Sequence, residues 1–191
     1  QLNNWQGETV VCIASGPSLD LADIEYIQGK ARVIAINDNY KIAPFADVLY
    51  ACDGKWWNWH NGAPEFTGQK WTQDKAAAAK YGINWIEGRQ GDGLSSDPGY
   101  IHTGQNSGYQ AINLAHLFGA SRVILTGYDM KISKSGASHW FGDHPDGMRS
   151  NYHRWHDNFA SIARQGLIEV INCTRDTALD MFPVKQLNKV L

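Results

Sequence analysis

Short apolar runs rich in β-branched residues recur along the chain, separated by stretches whose apolar positions fall at helical spacing. The runs at residues 9–14, 32–36, 47–51, 83–86, 122–126 and 168–172 predict six strands. Most are short, apolar and β-branched, as a strand covered on both faces requires. Helices are predicted at 19–28, 73–80, 106–118 and 149–165. In the last of these, Tyr152, Trp155, Phe159, Ile162 and Ala163 fall on one face, with His153, Arg154, His156 and Asp157 largely off it. This alternation predicts an α/β fold: a single domain, residues 1–191, with a mostly parallel sheet flanked by helices. Loop insertions are expected near 54–72, 88–105 and 130–150. The glycine- and serine-rich run from Gly88 to Gly99 is the best candidate for a mobile loop.

Polar, glycine-rich segments crowd after the strands, at Ser15-Gly16-Pro17, Asn37-Asp38-Asn39, Asp53-Gly54 and from Gly127 to Ser150. In open α/β sheets, ligands bind in the crevice beyond the carboxyl ends of the strands. The first junction, Val10 to Leu19, reads as a strand turning at once into a helix. Gly16 lets the backbone pass close to a ligand, Pro17 pre-sets a helical φ, and Ser15 or Ser18 can cap the helix. Such a junction places amide groups where an anion can sit, although an ordinary strand–helix turn has the same composition. The lysine and longer loop of a Walker motif are absent, as are the second and third glycines of the dinucleotide fingerprint.

Further candidates follow the other strands. Asn37, Asp38 and Asn39 can read a base edge or sugar hydroxyls, or simply form an Asx-type turn. Asp53 ends the third strand ahead of Trp56, Trp57, Trp59 and His60, which suit either a stacking wall or a flap packed on the sheet. Asn106, Ser107 and Gly108 open a strongly apolar helix whose N-terminus suits a phosphate or carboxylate. His116, inside that helix, reads as structural. Asp129 ends the fifth strand, in position for an acid, base, metal or hydroxyl-binding role. His139, Asp143 and His144 follow, and a histidine acting as general acid or base is the favoured reading over a metal set completed by Asp129 or His153. Thr174 and Arg175, after the last strand, can add contacts near the crevice.

Charge and composition narrow the field. Seventeen basic and nineteen acidic residues give a formal charge of −2, with no basic stripe to grip a nucleic-acid backbone. Cys12, Cys52 and Cys173 are far apart in apolar contexts, as buried thiols of a reducing, cytoplasmic compartment would be. No stretch is long and apolar enough to span a bilayer, and no signal-peptide pattern is present.

Four segments together carry a resemblance: Ser15-Gly16-Pro17-Ser18-Leu19, Ala35 to Tyr40, Asn106-Ser107-Gly108 and Val123 to Asp129. In order and spacing they resemble the bacterial sialyltransferases that make surface oligosaccharides, and a related superfamily that includes archaeal pterin pyrophosphokinase-like proteins. The segments from His139 to Pro145 and Asn172 to Pro183 resemble those of small phage-encoded relatives. The resemblance implies a Rossmann-like sheet, a CMP-sugar donor, inverting transfer to a hydroxyl acceptor such as a glycan without an essential metal, and often a homo-oligomer. It implies that Gly16 to Ser18 hold the donor phosphate or ribose, that Asn37 contacts the nucleotide, and that Ser107-Gly108 lie against phosphate or base. It implies a histidine base, for which His139 and His144 are the candidates. Ser15 departs from the family, which has asparagine there.

Taken with the polar strand ends and the histidines, the resemblance implies a glycosyltransferase whose nucleotide-sugar donor lies between the turns at Ser18 and Ser107. Two other classes stay open. One is magnesium-dependent pyrophosphoryl or phosphoryl transfer with Asp53, Asp129 and Asp143 holding the ion. The other is a non-catalytic nucleotide- or glycan-binding module.

Overall fold

A computed structural model describes residues 1–142 and 152–191. Its strands are β1 (Thr9–Ile13), β2 (Arg32–Ile36), β3 (Val48–Tyr50), β4 (Gln69–Thr72), β5 (Asn84–Trp85), β6 (Glu87–Arg89), β7 (Tyr100–His102), β8 (Arg122–Thr126) and β9 (Glu169–Asn172). Seven of them form one sheet in the order β5-β4-β3-β2-β1-β8-β9, with every pair parallel. β6 and β7 make a separate two-stranded parallel ribbon. The helices are α1 (Leu21–Ile27), α2 (Gly54–Trp59), α3 (Lys75–Tyr81), α4 (Ser107–Leu117) and α5 (Tyr152–Gln165).

Because side chains alternate across a strand, each central strand supplies two layers of core. Val10, Cys12, Ile34, Ile36, Val123 and Leu125 face α4 and α5. Val11, Ile13, Val33, Ala35 and Ile124 face α1, α2 and α3. This double coverage is why the strands read as unbroken apolar runs. The expected α/β fold with a parallel sheet flanked by helices is the one observed.

The differences lie at the edges and in the loops. β4 alternates a half-polar start, Gln69-Lys70, with buried Trp71 and Thr72, and so lacks the apolar run of a central strand. α2 forms from a segment expected to be a loop, because burying Trp56 and Trp57 against the sheet outweighs its short length. The segment expected to be the most mobile, 88–99, is pinned. Amides of Gly93, Leu94 and Ser95 donate to Ser161 Oγ (2.8 Å), Gln165 Oε1 (2.6 Å) and Asn113 Oδ1 (2.9 Å), and Leu94 and Ser95 are buried. Glycine content revealed the turn but not the side chains waiting for its amides. α1 begins later than expected, capped by Asp20, whose carboxylate accepts from Ala22 N at 2.8 Å. Neither Ser15 nor Ser18 is its cap.

Candidate active-site crevice

The chain lays down β1 to β5 in one direction across the sheet, then crosses back to place β8 and β9 on the other side of β1. Strand order therefore reverses between β1 and β8, and the connections leaving their carboxyl ends diverge to open a crevice. A cavity of about 190 Å³ lies there. Its walls come from the ends of β1, β2 and β3, the first turn of α4, the segment after β8 and the start of α5.

The turn after β1 is organised around a carboxylate of the protein itself. Asp129 is 2 % exposed, and its two oxygens accept Ser18 N–H and Ser18 Oγ–H, both at 2.8 Å. Burial raises its carboxyl above the ordinary carboxylate range, opposed by the two Ser18 hydrogen bonds. Gly16 packs so tightly that a Cβ there would stand 2.1 Å from Asp129 Oδ1 and 2.6 Å from the Gly127 carbonyl oxygen. Ser15 and Gly16 line the crevice, whereas Pro17 and Ser18 do not. The anion seat expected for a ligand phosphate at Ser18 is thus filled by Asp129, which likewise lies outside the lining.

At the end of β2 a 3-10 turn, Asn37–Lys41, splits the three polar residues among three tasks. Asn37 lines the crevice in a left-handed conformation, φ +52°, which asparagine tolerates better than most residues. Asp38 points away from it, accepting from Trp56 Nε1 (2.8 Å) and Lys41 Nζ (2.8 Å) and facing His60 Nε2 at 3.3 Å. Burial alone would raise the Asp38 carboxyl, but hydrogen bonds from His60, Lys41 and Trp56 hold it far below the usual carboxylate range. Asn39 is fully buried, and its Nδ2 bridges the Ile13 and Ile36 carbonyls at 2.9 and 2.7 Å. Trp56 and Trp57 are core residues, and His60 stacks on Trp56 at 4.0 Å. The aromatic cluster is a packed flap, not a wall of the crevice.

Asp53, at the end of β3, lines the crevice and is exposed. Opposite it, α4 presents Asn106, Ser107 and Gly108, all lining residues. Asn106 is the N-cap, accepting Tyr109 N–H at 3.1 Å, and Ser107 Oγ–H donates to Cys52 Sγ at 3.0 Å. Helix geometry leaves the amides of Ser107 and Gly108 without carbonyl partners inside the helix. Gly108 lets this turn sit on Tyr128, whose ring would lie 2.7 Å from an added Cβ and whose hydroxyl donates to Gly108 O at 2.9 Å.

His139 lines the crevice, with Nδ1 3.0 Å from Ser138 Oγ and its ring stacked on Phe141 at 5.0 Å. His144 and Asp143 lie outside the described residues. Thr174 is buried behind the crevice, accepting Tyr128 N–H at 3.0 Å, and Arg175 pairs with Asp20, the cap of α1, and with Asp23 on that helix. His116 lies at the far end of α4, next to Ser96 Oγ at 2.9 Å. Among the described residues no three His, Cys, Asp or Glu side chains gather as a metal site. Nor is any helix among them long and apolar enough to cross a membrane.

Sequence reasoning missed Cys52, Gln105, Met130, Tyr152 and Trp155 as lining residues. Gln105 and Met130, like Asn37, have positive φ, at +53° and +51°. Three non-glycine left-handed residues thus border one crevice, where strained backbone concentrates at functional sites. No local signal marks such residues. Tyr152 and Trp155 were visible as an apolar face, yet Trp155 also turns its indole N–H to Gln105 O at 2.8 Å and so joins α5 to the rim.

No family model and no curated protein matches the chain in sequence. Among solved structures, the sialyltransferase CstII from Campylobacter jejuni, in complex with a substrate analogue, cytidine-5′-monophosphate, superposes with a TM-score of 0.57. The match is 13 % identical and covers 95 % of this chain and 86 % of that one. The likeness is one of fold.

Proposed function

We propose that the β1/β8 crevice binds a nucleoside-phosphate sugar, a CMP-sugar first among the candidates, and transfers the sugar to a hydroxyl acceptor. The observation that carries this reading is the convergence on one crevice of Asn37, Asp53, the first turn of α4 and His139. Asn37 and Asp53 supply carboxamide and carboxylate groups for base or ribose, and the Ser107 and Gly108 amides supply donors for a phosphate. The donor phosphate sits at α4 rather than at Ser18, because Asp129 holds the Ser18 amide.

In the reaction, the acceptor oxygen attacks the anomeric carbon, the carbon–oxygen bond to phosphate breaks, and CMP departs from a CMP-sugar, or a nucleoside diphosphate from a UDP-, GDP- or dTDP-sugar. His139 takes the acceptor proton, with His144 as the other candidate. Donors at the α4 N-terminus stabilise the charge that grows on the leaving phosphate. The fold shared with a sialyltransferase and the crevice at the switch point support this reading. It is tested by donor hydrolysis and transfer assays with CMP-, UDP-, GDP- and dTDP-sugars on the wild type, His139→Ala and His144→Ala. Turnover with one donor class, lost in one histidine variant, is expected. No turnover and no thermal stabilisation by any of these donors refutes the reading.

A further inference from the structure

Just outside the crevice lining, one side chain ties the segment after β8 to the strand ends. Trp140 donates its backbone N–H to Ser15 O at 3.1 Å and its indole N–H to Asn39 Oδ1 at 2.8 Å. The partner residues are well fixed. Asn39 is fully buried, and its Nδ2 reaches the Ile13 carbonyl at the end of β1, the Ile36 carbonyl at the end of β2, and Ser15 Oγ at 3.1 Å. An indole nitrogen only donates and a carbonyl only accepts, so a carboxamide in this one orientation satisfies both sides. Carboxylate at position 39 would face two carbonyls, and an apolar side chain would remove the indole's acceptor and one donor from each carbonyl. The adjoining residue, His139, lines the crevice, and Asn37 lines it from the same 3-10 turn that holds Asn39.

We propose that Trp140 is the positioning residue of this site, its two hydrogen bonds to Asn39 and Ser15 setting where His139 stands over the strand ends. The placement of His139 rests on geometry; its consequence for turnover rests on the transfer reading above. Since Asn37 and Asn39 share one short turn, a ligand that orders Asn37 also steadies the anchor of the histidine segment.

The test separates placement from turnover. Trp140→Phe keeps an aromatic ring and the backbone bond to Ser15 O, and removes the indole donor together with the fused second ring. With a circular dichroism spectrum like that of the wild type, the variant is expected to show His139 modified by diethylpyrocarbonate several-fold faster, measured by peptide mass spectrometry. His116 and His102, which lie outside the crevice lining, serve as internal controls and keep their wild-type rates. An unchanged His139 rate in the folded variant overturns the proposal. Where the variant does not fold, hydrogen exchange on the wild-type protein decides: the Trp140 indole and backbone N–H are expected to be protected, and free exchange at both overturns it. If a donor is turned over, Trp140→Phe lowers kcat by roughly tenfold to a hundredfold, the scale of a small misplacement of a reacting group, with donor KM changed far less. Equal loss of both parameters, or of neither, counts against positioning. If no donor is turned over, the transfer reading fails while the modification rates still decide the role of Trp140.

Discussion

Asp129 places its carboxylate on Ser18 N–H and Oγ–H, 111 residues away in sequence, and so closes the turn after β1 from inside the protein. Asp129→Ala removes both acceptors at once. A hydrogen bond to a charged group contributes about 1.5–3 kcal/mol, so the variant is expected to lose roughly 2–4 kcal/mol in urea unfolding. Asp129→Asn keeps an acceptor for Ser18 N–H and lets Ser18 Oγ accept from the new amide, so its loss should be less than half as large. Equal losses in the two variants would contradict the role assigned to Asp129.

Gly16 meets the same carboxylate from the other side. An added methyl would stand 2.6 Å from the Gly127 carbonyl oxygen, a backbone atom held by Gly16 N–H at 2.8 Å, so neither partner can yield cheaply. Gly16→Ala should destabilise by roughly 1–3 kcal/mol, the usual range for overpacking. A thermal midpoint equal to that of the wild type would show that the turn relaxes freely.

Asp38 governs part of the acid stability. Its carboxyl is held far below the ordinary value, burial being outweighed by the hydrogen bonds from His60, Lys41 and Trp56. A depressed carboxyl contributes stability that is present above its unfolded pKa, about 3.9, and is lost as pH falls toward the folded value. Asp38→Asn is expected to be less stable at neutral pH, with a flatter decline below pH ~4. The difference in slope approaches one proton, about 1.4 kcal/mol per pH unit. Parallel stability curves for the two proteins over that window would refute the assignment.

Cys52 lines the crevice yet should be a poor nucleophile. Burial and the neighbouring Asp53 charge push its thiol up to about 12, against the Ser107 hydrogen bond. At pH 8 the thiolate fraction is then on the order of 10⁻⁴, so iodoacetamide should label it roughly a thousandfold more slowly than a free cysteine. Asp53→Asn removes one of the raising causes and should speed labelling. A rate within tenfold of free cysteine in the wild type would contradict this.

The central fold was legible because its causes are local. Val33–Ile36 and Val123–Leu125 are apolar runs, and the strands that hold them have the expected limits, 32–36 and 122–126. The polar strand ends at Ser15, Asn37 and Asp53 and the helix cap Asn106 were likewise visible, and the fold brings these to one crevice. Asp38 is a carboxylate like Asp53 and Thr174 a hydroxyl like Ser15, yet the first faces Trp56 and His60 and the second supports Tyr128. Nothing within a few residues of either distinguishes a ligand contact from a structural one.

The sequence by itself determined the parallel α/β architecture and the strand ends where a site must lie, since burial on both faces leaves its mark on the middle of each central strand. Tertiary structure alone decided who meets whom at those ends. It seated Asp129, rather than a ligand, on Ser18, buried Trp56 and Trp57, and set Trp140 on Asn39 across 101 residues. The reason is physical: apolar periodicity is written along the chain, whereas the partner of a hydrogen-bonding side chain depends on which distant donors and acceptors the completed sheet brings within about 3 Å.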